Sequence, residues 1–471
     1  LDLNGYSETV GSLAGSGTVT SNAGATMTLT AGGDNTSTSF SGVIQNGSST
    51  GVSLYKTGTG SLSLSGNNAY SGTTWLLGGA LNMNSTSAIG TSALTIFNGT
   101  TIGNTSGSAI TLATNNTATL SGDFSFGGTQ DLNLGTGTIS FGSTRGITVN
   151  SNTLTLGGVI NTGFSLFKSG AGTLSFGSNP VTLNSLTINS GPLTSTSGVL
   201  SISGSLSNSG VFNNNSGTVH YNGGAVQTVT VLSYNNLTLS GAGQKNAGGA
   251  ITVGGNLVNS SIFDLGANAL SVTGTINNTG GNIRFTGVAN GIAANTGTVT
   301  YYGASQTIAA GTYNDLVINQ SGGQASLGGP VTVNGILTMT NGILNLNAFD
   351  LTLGPTATIS IAAPSATKMI LASGGNKVLK TFSSTGSFTF PIGENTGVSE
   401  YSPITINVTA GSGFPADLGV SVFDLKHPNN SSASNFLTRY WEVTSNITSG
   451  VATVHSSLHD ALPISEERRV G

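Results

Sequence analysis

The sequence predicts an all-β protein. A right-handed parallel β-helix (β-solenoid) occupies residues 1–384, and a smaller, truncated antiparallel β-sandwich-like domain follows over 385–456. Three observations predict it. Apolar residues alternate with Ser or Thr, as in Ser61-Leu62-Ser63-Leu64-Ser65, the period-two pattern of a strand with one buried face. Glycines punctuate the alternation every few residues, as at Gly58, Gly60, Gly66, Gly72, Gly78 and Gly79, where turns need positive φ or close backbone approach. Blocks of sequence also recur along the chain, as they do in stacked arrays of coils.

Composition supports this class and excludes others. Only 6% of the 471 residues are charged, yet mean hydropathy is only +0.15, because Ser, Thr, Asn and 72 Gly supply the polarity. That mixture suits short strands and tight turns and suits long helices badly. Disorder is the competing reading of such a chain, but 36% hydrophobic residues in regular alternation argue against it. A net charge of −4 with no basic run before the last residues gives nucleic-acid binding no electrostatic footprint. No apolar run reaches the roughly 18 residues of a membrane-spanning helix. The absence of cysteine removes disulfides, thiolate-bound zinc and thiol catalysis. The chain opens at Leu1 without an initiator methionine, which reads as a fragment or a mature piece.

The pattern begins in residues 1–39, with Gly17-Thr18-Val19-Thr20 and Met27-Thr28-Leu29-Thr30. The stretch from Lys56 to Thr74, KTGTGSLSLSGNNAYSGTT, follows. It resembles the passenger-associated β-strand repeat of bacterial autotransporters, K-x-G-x-G-T-L-T-L-S-G-x-N-T-Y-x-G-x-T. A second copy, Lys168-Ser169-Gly170-Ala171-Gly172-Thr173-Leu174-Ser175-Phe176-Gly177, lacks the N-x-Y-x-G half. No proline precedes Pro180, as an uninterrupted ladder of backbone donors favours.

From about residue 200 a longer repeat appears. Gly217-Thr218-Val219-His220-Tyr221 corresponds to Gly297-Thr298-Val299-Thr300-Tyr301, Gln227-Thr228-Val229 to Gln306-Thr307-Ile308, and Tyr234-Asn235-Asn236-Leu237 to Tyr313-Asn314-Asp315-Leu316, at offsets of 79 to 81. This is an internal duplication, and its pattern resembles repeats of Bacteroidetes-type surface adhesins. Coils of about 20 to 27 residues give about fifteen to eighteen turns. Near residue 385 the register changes: residues 1–367 hold 13 charged side chains and the last 104 hold 15. Phe388-Thr389-Phe390-Pro391, Tyr401-Ser402-Pro403-Ile404 and Arg439-Tyr440-Trp441-Glu442 read as antiparallel strands. Residues 457–471 break composition and periodicity and read as a non-native tail.

The chemistry-bearing residues form no catalytic constellation. Pectin-type β-helix enzymes need paired carboxylates, but the acids before residue 385 are Asp2, Glu8, Asp34, Asp123, Asp131, Asp264, Asp315 and Asp350, with no D-x-D. Asp264 reads as a turn residue. His220 reads as a half-exposed strand residue, and His427 has no second metal ligand at a recognisable spacing. Gly47-Ser48-Ser49-Thr50-Gly51 matches G-x-S-x-G without the strand-to-helix context. Irregularly spaced T-x-T pairs do not make an ice-binding array.

The expectations are therefore no enzyme, no catalytic residue, no cofactor and no metal. Tyr70, Trp75, Tyr221, Tyr234, Tyr301, Tyr302 and Tyr313 are candidates for a carbohydrate-stacking strip, with Tyr221, Tyr301 and Tyr302 as the candidate ligand contacts. The resemblance implies a bacterial cell-surface or secreted, adhesin-like protein. Its rod displays or spaces a binding region, with host or cell-surface glycans or proteins as partners and no nucleic acid. The alternative is a polysaccharide-active lyase or hydrolase on a β-helix.

Overall fold

A computed structural model describes residues 1–22, 24–286 and 295–456; the tail read at 457–471 lies outside the described residues. Among the described residues there is no helix, and therefore none long and apolar enough to cross a membrane. The chain is a parallel β-solenoid of about 19 turns with a smaller mixed-sheet domain on the C-terminal side. The described residues form two compact units, the first within 1–243 together with 252–255, the second within 244–251 together with those from 256 to 456.

In the first unit each coil contributes short strands to parallel sheets. One sheet climbs strand by strand from Glu8–Val10 to Asn236–Leu239, a nine-stranded one from Thr38–Phe40 to Leu206–Asn208, and a six-stranded one from Ile110–Thr111 to Val211–Asn213. The registers stack like on like. Leu54, Thr74, Leu94, Ala118, Ile139, Ile160, Val181, Leu200, Val219 and Leu237 form one inward column. Its members are 18 to 24 residues apart, shorter coils than expected, so the chain makes more turns. Alternation does the sorting. Ser61–Leu64 buries Leu62 and Leu64 and leaves both serines half-exposed, and each inward residue finds its apolar contacts in the coils on either side.

Turns require glycine where the backbone crowds. Gly58 has φ +66°, and a Cβ there would collide with Gly32 O in the preceding coil. Any other residue would be strained on both counts.

The second unit has parallel columns of its own, as in Val299, Leu316, Leu337 and Ile359 and in Val331, Leu351 and Val378. The parallel stack does not stop at residue 384, because Ile370 pairs in parallel with Ile392. Val378–Phe382 is parallel to Leu351–Leu353 on one edge and antiparallel to Ala416–Phe423 on the other. The smaller C-terminal domain is a mixed sheet, built directly onto strands of the last coils. Tyr440–Ser445 extends it, and Gly386–Phe390 pairs antiparallel with Ile404–Ser412.

Candidate functional site

Parallel in-register stacking places equivalent outward side chains about 4.8 Å apart, close to the spacing at which aromatic rings stack. One outward row runs Thr30, Tyr55, Trp75, Thr95, Thr119. Tyr55 and Trp75 lie face to face, with centroids 4.6 Å apart and planes 1° from parallel, and Phe97 leans on Trp75 at 5.5 Å and 55°. The three half-buried rings form a ladder. Trp75 is one of the aromatics that the sequence offers as stacking candidates. Tyr55 and Phe97 are not, since only the register brings them beside it.

Two of the three expected ligand contacts are corrected. Tyr221 and Tyr301 are 0% exposed. Each shares an inward parity with a buried valine, Val219 or Val299. Tyr221 pairs with Tyr234 at 3.0 Å between hydroxyls, and Tyr234 donates to Thr230 O. Tyr301 pairs with Tyr313 at 3.0 Å, and Tyr313 donates to Ala309 O. The backbone N–H of Thr230 and of Ala309 donates to Tyr221 and Tyr301 respectively. The sequence duplication is thus a duplicated internal hydrogen-bond network.

Tyr302, of opposite parity, faces outward and is half-buried. Its hydroxyl donates to Asp264 Oδ1 at 2.6 Å, and Arg284 lies 4.8 Å from its ring centre and 3.5 Å from Asp264. Burial, reinforced by the Asp264 carboxylate, pushes the Tyr302 hydroxyl up to about 12. Tyr70 is fully buried and hydrogen-bonds Thr74 Oγ1 at 2.7 Å.

The aspartates of the coils serve the backbone. Asp2, Asp34, Asp123, Asp131, Asp264, Asp315 and Asp350 accept from the N–H of Asn4, Thr36, Gly146, Thr153, Gly266, Ile336 and Lys377. His220 Nε2 lies 2.7 Å from Ser240 Oγ, and His427 Nδ1 accepts from Asn429 N.

In the second unit the three C-terminal motifs converge. Arg439 donates to Ser402 Oγ (2.9 Å) and forms ion pairs with the fully buried Glu394 (3.3 Å) and with Glu400, while Trp441 Nε1 donates to Ser402 O. Glu394, Glu400 and Asp424 have carboxylate oxygens within 4.8 Å of one another. The Arg439 guanidinium supplies a cation to two of them, Glu394 and Glu400.

Against family models, one region stands out: residues 54–83, described as a passenger-associated-transport-repeat. Residues 54–83 carry the passenger repeat. Its strands Thr73–Leu76 and Ala80–Met83 are rungs of the sheets above, and Tyr55 and Trp75 of the ladder lie within it. The repeat and the β-solenoid together fit an autotransporter passenger repeat protein. No curated protein and no solved structure matches the chain.

Proposed function

We propose that this chain belongs to a bacterial cell-surface or secreted adhesin-like protein. Its solenoid displays or spaces a region that binds host or cell-surface glycans or proteins, and it is not an enzyme. The passenger repeat at residues 54–83 carries the reading, because it sits on the coils themselves and fits an autotransporter passenger. The aspartates add support. All seven before residue 385 accept a backbone N–H, whereas glycoside cleavage needs two carboxylates free to face one bond.

The test is direct. The purified chain, added to epithelial cells and to an array of neutral and uronate glycans, should bind saturably and release no reducing or unsaturated ends. Steady release abolished by a single Asp→Asn change would replace this reading with the polysaccharide-active one.

A further inference from the structure

Lysine is used inside this fold. Lys56, Lys168, Lys245 and Lys380 are 1%, 0%, 0% and 6% exposed. Strand parity puts them there. Val52, Leu54 and Lys56 share the inward side of Gly51–Lys56, Leu166 shares it with Lys168, and Val378 and Phe382 share it with Lys380. An ammonium taken out of water is costly unless something replaces its hydration, and burial holds all four below the ordinary lysine pKa. Among the described residues no carboxylate forms an ion pair with Lys56, Lys168 or Lys380.

Main-chain carbonyls replace the water. Lys56 Nζ donates to Thr57 O (2.5 Å), Gly58 O (3.3 Å) and Gly78 O (3.2 Å). Lys168 Nζ donates to Gly170 O (2.6 Å) and Ser190 O (2.9 Å). Lys380 Nζ donates to Gly354 O (2.6 Å), Pro355 O (3.0 Å) and Ala357 O (2.7 Å). The first two cages are built alike: one oxygen lies two residues on, in the lysine's own turn, and another lies 22 residues on, in the next coil. The Lys380 cage reaches back to the corner after Leu351–Leu353, the strand beside its own. Rings of backbone carbonyls are how proteins strip and hold a monovalent cation.

We propose that these corners are monovalent-cation sites occupied by the chain's own ammonium groups, and that each filled site clamps one coil to its neighbour. This gives Lys56, inside the passenger repeat, a task, and the task holds whatever the solenoid binds.

Lys56→Ala and Lys168→Ala in the full-length chain test it, because each empties a cage without filling it. The folding constant should fall by about tenfold or more, the scale of losing charge-assisted hydrogen bonds. Methylammonium chloride should restore part of the loss, and equal tetramethylammonium chloride, which has no N–H, should not. Lys377→Ala, which removes an ammonium paired with Glu442, should show no such rescue. An unchanged urea midpoint would overturn the clamp, and equal effects of the two amines would overturn the cation site.

Should the alanine variants not fold, amine acylation of the native wild-type chain decides. Lys56, Lys168 and Lys380 should stay unmodified while Lys368, Lys377 and Lys426 react. Acylation of all six at similar rates would overturn the proposal.

Discussion

Lys56-Thr57-Gly58 and Lys168-Ser169-Gly170 open the same motif and then part company. In the first copy the chain leaves Gly66 and lays Tyr70 inside the coil before the strand Thr73–Leu76 begins. Asn68 is buried with it, donating to Ala88 O at 2.6 Å and accepting from Ile44 N at 2.8 Å. The second copy turns sharply from Gly177 into Val181–Leu183 with no aromatic, and Asn179 donates to Gly157 O. Both keep the buried lysine and a positive-φ glycine two residues on. The corner can be filled by an inserted aromatic or closed by shortening the turn. The ammonium and its glycine are what the two solutions share.

Tyr70→Ala should break the first copy hardest, by about 3–5 kcal/mol, because it empties a large buried site; urea unfolding measures it. Tyr70→Phe should cost only about 1 kcal/mol, since Thr74 Oγ1 keeps Ser92 Oγ at 2.6 Å. Gly58→Ala and Gly170→Ala should each cost about 1–3 kcal/mol. Both positions have φ beyond +60°, and a Cβ would strike Gly32 O or Val149 O. A neutral Gly170→Ala would show that the second copy no longer depends on its turn. Trp75→Ala should cost about 0.5–1.5 kcal/mol beyond the area lost, the scale of a stacked pair, and should leave the second copy untouched.

Acid sharpens the contrast further. Desolvation lowers both the Lys56 and the Lys168 ammonium, and only at Lys56 does a carboxylate, Asp34, pull the other way. The Thr36 N–H bond, ahead of the other contacts, holds the Asp34 carboxyl below the ordinary carboxylate range. Its cap is therefore present above the ordinary carboxylate range and is lost as pH falls through the lower folded-state value. Amide exchange at Thr36 should accelerate only there, with no matching step near Ser169.

Much of this was legible in the sequence. Alternation and glycine spacing identify the solenoid because each strand is sorted by parity alone. The same parity, applied residue by residue, turns Lys56, Lys168, Tyr221 and Tyr301 inward and Tyr302 outward; a polar or aromatic character obscured it. Other features depend on register between coils, which the sequence pattern leaves open. The ladder needs Tyr55 opposite Trp75. The Arg439 cluster needs antiparallel partners such as Glu394 opposite Glu400, brought together across intervening loops. The shared sheet at Val378–Phe382 could not be read from composition, because the charge count changes near there while the strand pairing continues across it.

Site-resolved hydrogen exchange on wild type and Lys56→Met tests the central claim, that a buried ammonium couples consecutive coils. Methionine keeps the length and apolar stem of the side chain and removes only its charge and its donors. Protection should drop at Thr57, Leu77 and Gly78, the two turns joined through Lys56, and stay unchanged from Asn152 to Ser175, where Lys168 still holds its own pair. Unchanged protection at those three amides, or a uniform loss along residues 1–243, would contradict it.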